Sequence, residues 1–107
     1  MRMMLKVNMP TCAGNAAVRD GSLPTTIQKI LADVKPEAVY FAEECGERTG
    51  YIFFDMKNSS DLPAIAEPWF LAFGAKITVR PAMNLQDLAA SAPAMERAAK
   101  AFPKKSS

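Results

Sequence analysis

Histidine is absent from the chain. The side chain most often used for proton transfer near neutral pH, and the commonest metal ligand, is therefore missing. Cysteine is scarce. Cys12 and Cys45 are too few and too widely spaced for a disulfide framework, and neither belongs to a C-x-x-C or other metal-ligand cluster. Both read as ordinary reduced thiols, and no metal or cofactor is expected. An excess of one charge is also missing. Thirteen Lys and Arg against eleven Asp and Glu leave a net charge of +2, which sets up no field strong enough to capture nucleic acid. No apolar run reaches the ~18 residues of a membrane span. Lys6, Asn8 and Pro10 interrupt the methionine-rich start, which argues against a signal peptide, and Met9-Pro10-Thr11 is a poor lipoprotein context for Cys12. An unprocessed cytoplasmic protein is expected, with neither membrane nor nucleic acid as a partner.

What remains is apolar material: half of the 107 residues are hydrophobic, enough for a single core. Residues 2–9 alternate, with Met3, Leu5 and Val7 on one side and Arg2, Met4, Lys6 and Asn8 on the other, the period of a strand that Pro10 ends. Residues 11–22 are small and polar and are expected to form a loop or a broken helical turn. Leu23, Ile27, Ile30, Leu31 and Val34 recur at helical spacing behind Ser22 and Pro24, and Lys35-Pro36 stops that helix. Ala38 to Glu44 is a second strand, Cys45-Gly46-Glu47-Arg48 a hairpin turn, and Thr49 to Met56 a third strand. Ser59-Ser60-Asp61 caps a second helix with the stripe Leu62, Ile65, Ala66, Trp69, Phe70 and Phe73. Gly74 closes this helix, and Pro68 is expected to kink it. Lys76 to Arg80 is a fourth strand, ended by Pro81. Asn84 and Asp87 form a loose capping box for a tail helix striped by Leu85, Leu88, Ala89, Ala92, Met95, Ala99 and Phe102. Pro93 can split that helix in two. Residues 103–107 are a frayed polar end, so the domain is expected to span 1–102.

The order strand, helix, strand, strand, helix, strand predicts an α+β fold, the ferredoxin-like βαββαβ arrangement with both helices on one face of an antiparallel sheet. Met3, Leu5, Val7, Val39, Phe41, Ile52, Phe54, Ile77 and Val79 then line the helix side. The other face carries Met4, Lys6, Asn8, Tyr40, Ala42, Tyr51, Phe53, Thr78 and Arg80. This mixture is too apolar to be left wet and too charged for a dry core. It suits a sheet packed on a second copy of itself, so a homodimer through the open face is expected.

These features resemble the dimeric α/β-barrel superfamily. Val18-Arg19-Asp20-Gly21, Lys35-Pro36-Glu37-Ala38, Ile65-Ala66-Glu67-Pro68-Trp69-Phe70 and Arg80-Pro81-Ala82-Met83 are similar to a group of small bacterial proteins of that superfamily without an assigned reaction. The resemblance runs from residue 1 to about 102. The superfamily's oxygenase and haem-degrading branches use an asparagine near the end of the first strand and a tryptophan on the second helix, which the resemblance maps to Asn8 and Trp69. The haem branch also needs an axial histidine, absent here. By alternation Asn8 points away from the helix side where Trp69 projects. Trp69 also fits a core position on an apolar stripe, and Asn8 a strand-end residue bonded to the backbone.

Without histidine, acid–base chemistry falls to carboxylates, lysines or tyrosines. Glu67, between Ala66 and Pro68 in an apolar helix, is one candidate, either partly buried with a raised pKa, or simply an exposed helix residue, or a partner of Arg80 or Lys76. Glu43 and Glu44 face opposite sides and form no carboxylate pair. Lys6 and Arg80 share the open face, free to hold an anion or to pair with Glu44 or Asp55. Gly46-Glu47-Arg48-Thr49-Gly50 lacks the strand–loop–helix setting of a phosphate loop. Tyr51 and Phe53 lack the basic, glycine and aromatic order of an RNA-binding strand. The expected ligand site lies between sheet and helices near Trp69 and Phe73, with Asn8, Glu67 and Arg80 as further candidates. Three functions fit: binding of a small hydrophobic or aromatic ligand, a cofactor-independent monooxygenase or isomerase on a small aromatic substrate, or a structural or regulatory interaction module.

Overall fold

The computed structural model describes residues 1–104; of the polar end expected at 103–107, residues 105–107 lie outside the described part, and Pro103 and Lys104 have no regular structure. The elements run β1 (Arg2–Met9), α1 (Thr11–Asp20), α2 (Leu23–Val34), β2 (Ala38–Glu44), β3 (Glu47–Asp55), a 3-10 turn (Ser59–Asp61), α3 (Leu62–Phe73), β4 (Lys76–Pro81), α4 (Leu85–Ala90) and α5 (Ala92–Ala101). The sheet is antiparallel with order β2-β3-β1-β4. This is an α+β fold of the ferredoxin-like βαββαβ type, as expected. Among the described residues no helix is long and apolar enough to cross a membrane.

Register follows from alternation. Leu5 pairs with Ile52 on one side and Val79 on the other, and Met3 with Phe54, so one face of the two central strands is continuous hydrocarbon. Leu5, Ile52 and Phe54 are almost fully buried there beneath α2 and α3, with Trp69 of α3 equally buried in the same core. The hairpin loop is the two residues Cys45 and Gly46, both with positive φ (53° and 79°), the pairing of signs in a type I′ turn that matches strand twist. β3 therefore begins at Glu47, two residues earlier than the expected Thr49, because Glu47 and Arg48 already pair with Glu44 and Glu43. Pro68 lies inside α3, which continues through it to Gly74 in the left-handed region (φ 58°).

The segment expected as a loop is the helix α1. It has no apolar stripe, since only Gly14 and Ala17 are buried, but small side chains let it lie close to the sheet. A Cβ on Gly14 would stand 2.6 Å from an Arg48 guanidinium nitrogen and 3.2 Å from Met9 Sδ. Gly21 ends the helix with φ 79°.

The tail is two short helices, α4 and α5, meeting at Ser91 ahead of Pro93. Asn84 Oδ1 accepts from the Asp87 backbone N–H at 2.8 Å, and Asp87 Oδ2 accepts from the Asn84 N–H at 3.0 Å, the capping box expected there. Neither helix buries a residue. The chain measures 61 × 35 × 22 Å with a radius of gyration of 18.3 Å, against about 13 Å for a compact chain of this length. Residues 84–102 form an arm that stands clear of the body.

Candidate functional site

A cleft of about 850 Å³ opens between the sheet and the paired helices α1 and α2. Its sheet wall is Val7 and Met9 of β1, Phe41 of β2 and Gly50 of β3; its helix wall is Leu23, Ile27 and Leu31 of α2; and Trp69 reaches it from α3. Phe41 sits on the helix side, as alternation demands, and is still 59% exposed. Gly50 keeps the wall low. A Cβ there would meet the Phe41 ring at 3.3 Å, so a side chain at this position would push the ring aside by a few tenths of an ångström.

Polar groups gather at the rim: Thr11 and Asn15 from α1, Glu43 from β2, Arg48 from β3. Arg48 Nη1 donates to Asn15 Oδ1 at 3.1 Å and ties α1 to the sheet. Glu43 Oε2 accepts from the Gly46 backbone N–H at 3.1 Å, so the hairpin turn holds this carboxylate in place.

The five residues singled out in the sequence do not form one constellation. Trp69 lines the cleft and is 2% exposed, and its indole Nε1–H has no hydrogen-bond partner among the described residues. Phe73 lies behind it in the core, ring centroids 6.3 Å apart and tilted by 30°. Glu67 is exposed on the outer side of α3, and no ion pair joins it to Arg80 or Lys76 among the described residues. Arg80 is exposed on the open face of the sheet. Asn8 is also on the open face, away from Trp69, and buried: Nδ2 donates to Thr49 Oγ1 at 3.2 Å and to Glu44 Oε2 at 3.4 Å. Arg48, Asn15 and Glu43, which do surround the cleft, were not among the candidates. Their signal is the hairpin turn, which brings the β2–β3 ends beside α1 once α1 is known to be a helix.

The open face carries a second polar group, centred on Glu44. Its carboxylate accepts from Lys6 Nζ at 2.8 Å and from Tyr51 Oη at 3.0 Å, in addition to Asn8. These bonds, Lys6 first, hold the Glu44 carboxyl below its ordinary pKa, while Glu44 raises both Lys6 and Tyr51. Every charge in the group is internally matched, which makes it a structural cluster. Tyr40, on the same face, is 65% exposed. Among the described residues no three His, Cys, Asp or Glu side chains gather to hold a metal ion.

Compared with known proteins, the chain matches no family model. No curated protein matches it. Among solved structures it is similar to the de novo designed protein Ferredog-Diesel, at 10% identity and a TM-score of 0.45 over 76% of this chain and 85% of that one.

Proposed function

We propose that the chain binds a small hydrophobic or aromatic molecule in the cleft between the β2–β3 hairpin and helices α1 and α2. The observation that carries this reading is an apolar space of about 850 Å³, within the roughly 300–1,000 Å³ typical of small-molecule sites, beside a tryptophan whose N–H has no partner among the described residues. A filled core would have closed over Phe41, which is more than half exposed. The rim groups Arg48, Asn15 and Glu43 supply the few polar contacts that orient a bound molecule. Turnover of the same class of molecule, as a monooxygenase or isomerase, is a second reading supported by that convergence of polar groups on an apolar cleft.

Trp69 is the chain's single tryptophan and serves as reporter. Titration with 1-naphthol is expected to change Trp69 fluorescence saturably at micromolar to sub-millimolar concentration; no saturable change up to 1 mM overturns the binding reading. Oxygen uptake or substrate loss in the same mixture tests turnover.

The same proposal includes pairing with a second copy through the open sheet face, supported by Met4, Tyr40, Tyr51 and Phe53 on that face and by the self-neutralised Glu44 cluster, whose internal hydrogen bonds offset part of the desolvation that a covering sheet imposes. Two free, exposed thiols, Cys12 and Cys45, support a reducing, cytoplasmic setting.

A further inference from the structure

We infer that the cleft takes a zwitterion, a molecule with an ammonium and a carboxylate on one carbon at the end of an apolar body, the chemistry of an aromatic α-amino acid; the inference rests on the binding reading above and names the polar half of the ligand. An acid and a base stand opposite each other at the cleft mouth without pairing. Glu43 of β2 and Arg48 of β3 are partners in the antiparallel register, which puts their Cβ atoms about 5 Å apart. Glu43 is two positions on from Phe41, and Arg48 two before Gly50, so both belong to the helix side, and both line the cleft. Opposite charges so placed are suited to an ion pair. No ion pair joins them, and neither takes part in one with any other of the described residues.

Each side chain is instead held by a neutral group. Glu43 Oε2 accepts from the Gly46 backbone N–H at 3.1 Å, and Arg48 Nη1 donates to Asn15 Oδ1 at 3.1 Å. Gly14 makes room for the second contact. A Cβ there would stand 2.6 Å from Arg48 Nη1 and 3.4 Å from its Cδ, so the arginine lies against the bare backbone of α1. One contact apiece leaves further donors on the guanidinium fork and further lone pairs on the carboxylate. Side chains fixed before a ligand arrives lose less freedom when it binds.

The two charges together select the head group. A carboxylate alone at Arg48 would face the like charge of Glu43 across the strand pair, and an ammonium alone at Glu43 would face Arg48. A head group that carries both charges satisfies both residues and meets neither repulsion. Glu47, the remaining charged residue of the lining, belongs by alternation to the open face. Such a ligand is neutral overall and needs no long-range field. Its apolar body lies against Phe41, Val7, Leu23 and Ile27.

The test is isothermal titration calorimetry of the full chain near neutral pH. Three probes share one apolar body: L-naphthylalanine; naphthylpropionate, which lacks the ammonium; and naphthylethylamine, which lacks the carboxylate. The amino acid is expected to bind more tightly than either analogue by at least about tenfold, as one charge-assisted hydrogen bond supplies. Glu43→Gln is expected to erase its advantage over the propionate, and Arg48→Gln its advantage over the amine, each with the parent's circular dichroism spectrum. An analogue that binds the parent as tightly as the amino acid overturns the inference and leaves the apolar cleft standing. Binding of 1-naphthol with none of the three probes does the same. No saturable binding of any of the four overturns the binding reading as well. A folded variant that keeps the parent's discrimination overturns the assignment to this pair of residues, and the three-probe comparison on the parent stands even where a variant fails to fold.

Discussion

The Phe41 ring lies across Gly50, and a Cβ placed on Gly50 would be 3.3 Å from Phe41 Cε1. One residue's lack of a side chain thus sets the position of the other's ring and the width of the cleft. Gly50→Val is expected to fill that width while keeping the strand, because β-branched residues suit a sheet. Binding of 1-naphthol is expected to weaken at least tenfold, about 1.4 kcal/mol, with an unchanged circular dichroism spectrum. Fluorescence titration of the variant decides it; unchanged affinity would place the ligand elsewhere.

Trp69 joins cleft and core. Trp69→Ala is expected to cost about 3–5 kcal/mol, the range for removing a large buried aromatic. Trp69→Phe is expected to cost less, about 1–2 kcal/mol, because it also removes a buried N–H that has no partner among the described residues and so carries an unrecovered desolvation penalty. Urea denaturation of both variants measures the difference, and an equal loss would mean that the N–H is satisfied in solution.

The Glu44 cluster imposes a pH dependence at both ends of the scale. Glu44 titrates below its ordinary 4.5 in the fold, so its contribution is present above that value and is lost as pH falls through the lowered pKa. Lys6 and Tyr51 are raised from 10.5 and 10.0; their contribution is present below those values and is lost as pH rises through the raised ones. Glu44→Gln is expected to flatten both limbs of the melting temperature against pH. Thermal melts from pH 3 to 11 would show this, and a variant with the parent's profile would remove the cluster from the account.

Cys45 occupies the left-handed region (φ 53°) as the first residue of the two-residue hairpin loop. Asparagine tolerates that conformation better than cysteine. Cys45→Asn is expected to stabilise the chain by about 0.5 kcal/mol, seen as a higher urea midpoint with an unchanged slope; a lower midpoint would mean that the thiol makes a contact of its own.

The sheet was legible because alternation is a local property: Met3, Leu5 and Val7, then Ile52 and Phe54, declare one face wherever their partners are. Capping at Asn84 and Asp87 was legible for the same reason. α1 was not, because its packing depends on smallness, and Gly14 and Ala17 give no hydrophobic period. The cleft was half legible. Trp69 follows from its stripe, but the rim of Arg48, Asn15 and Glu43 depends on where α1 lies. Asn8 shows the limit of carrying a residue over by likeness. Its own alternation aims it at Thr49 and Glu44, on the side of the sheet away from Trp69.

β1 comes earliest of the strands yet stands in the interior of the sheet, between partners drawn from residues 47–55 and 76–81. On the ribosome its hydrocarbon edge must wait for most of the chain to emerge before either flank is closed. Such non-local closure makes for slow folding. The unfilled interval is when the nascent chain is most exposed to aggregation, and any chaperone that handles it would be expected to grip the stretch around Leu5 and Val7.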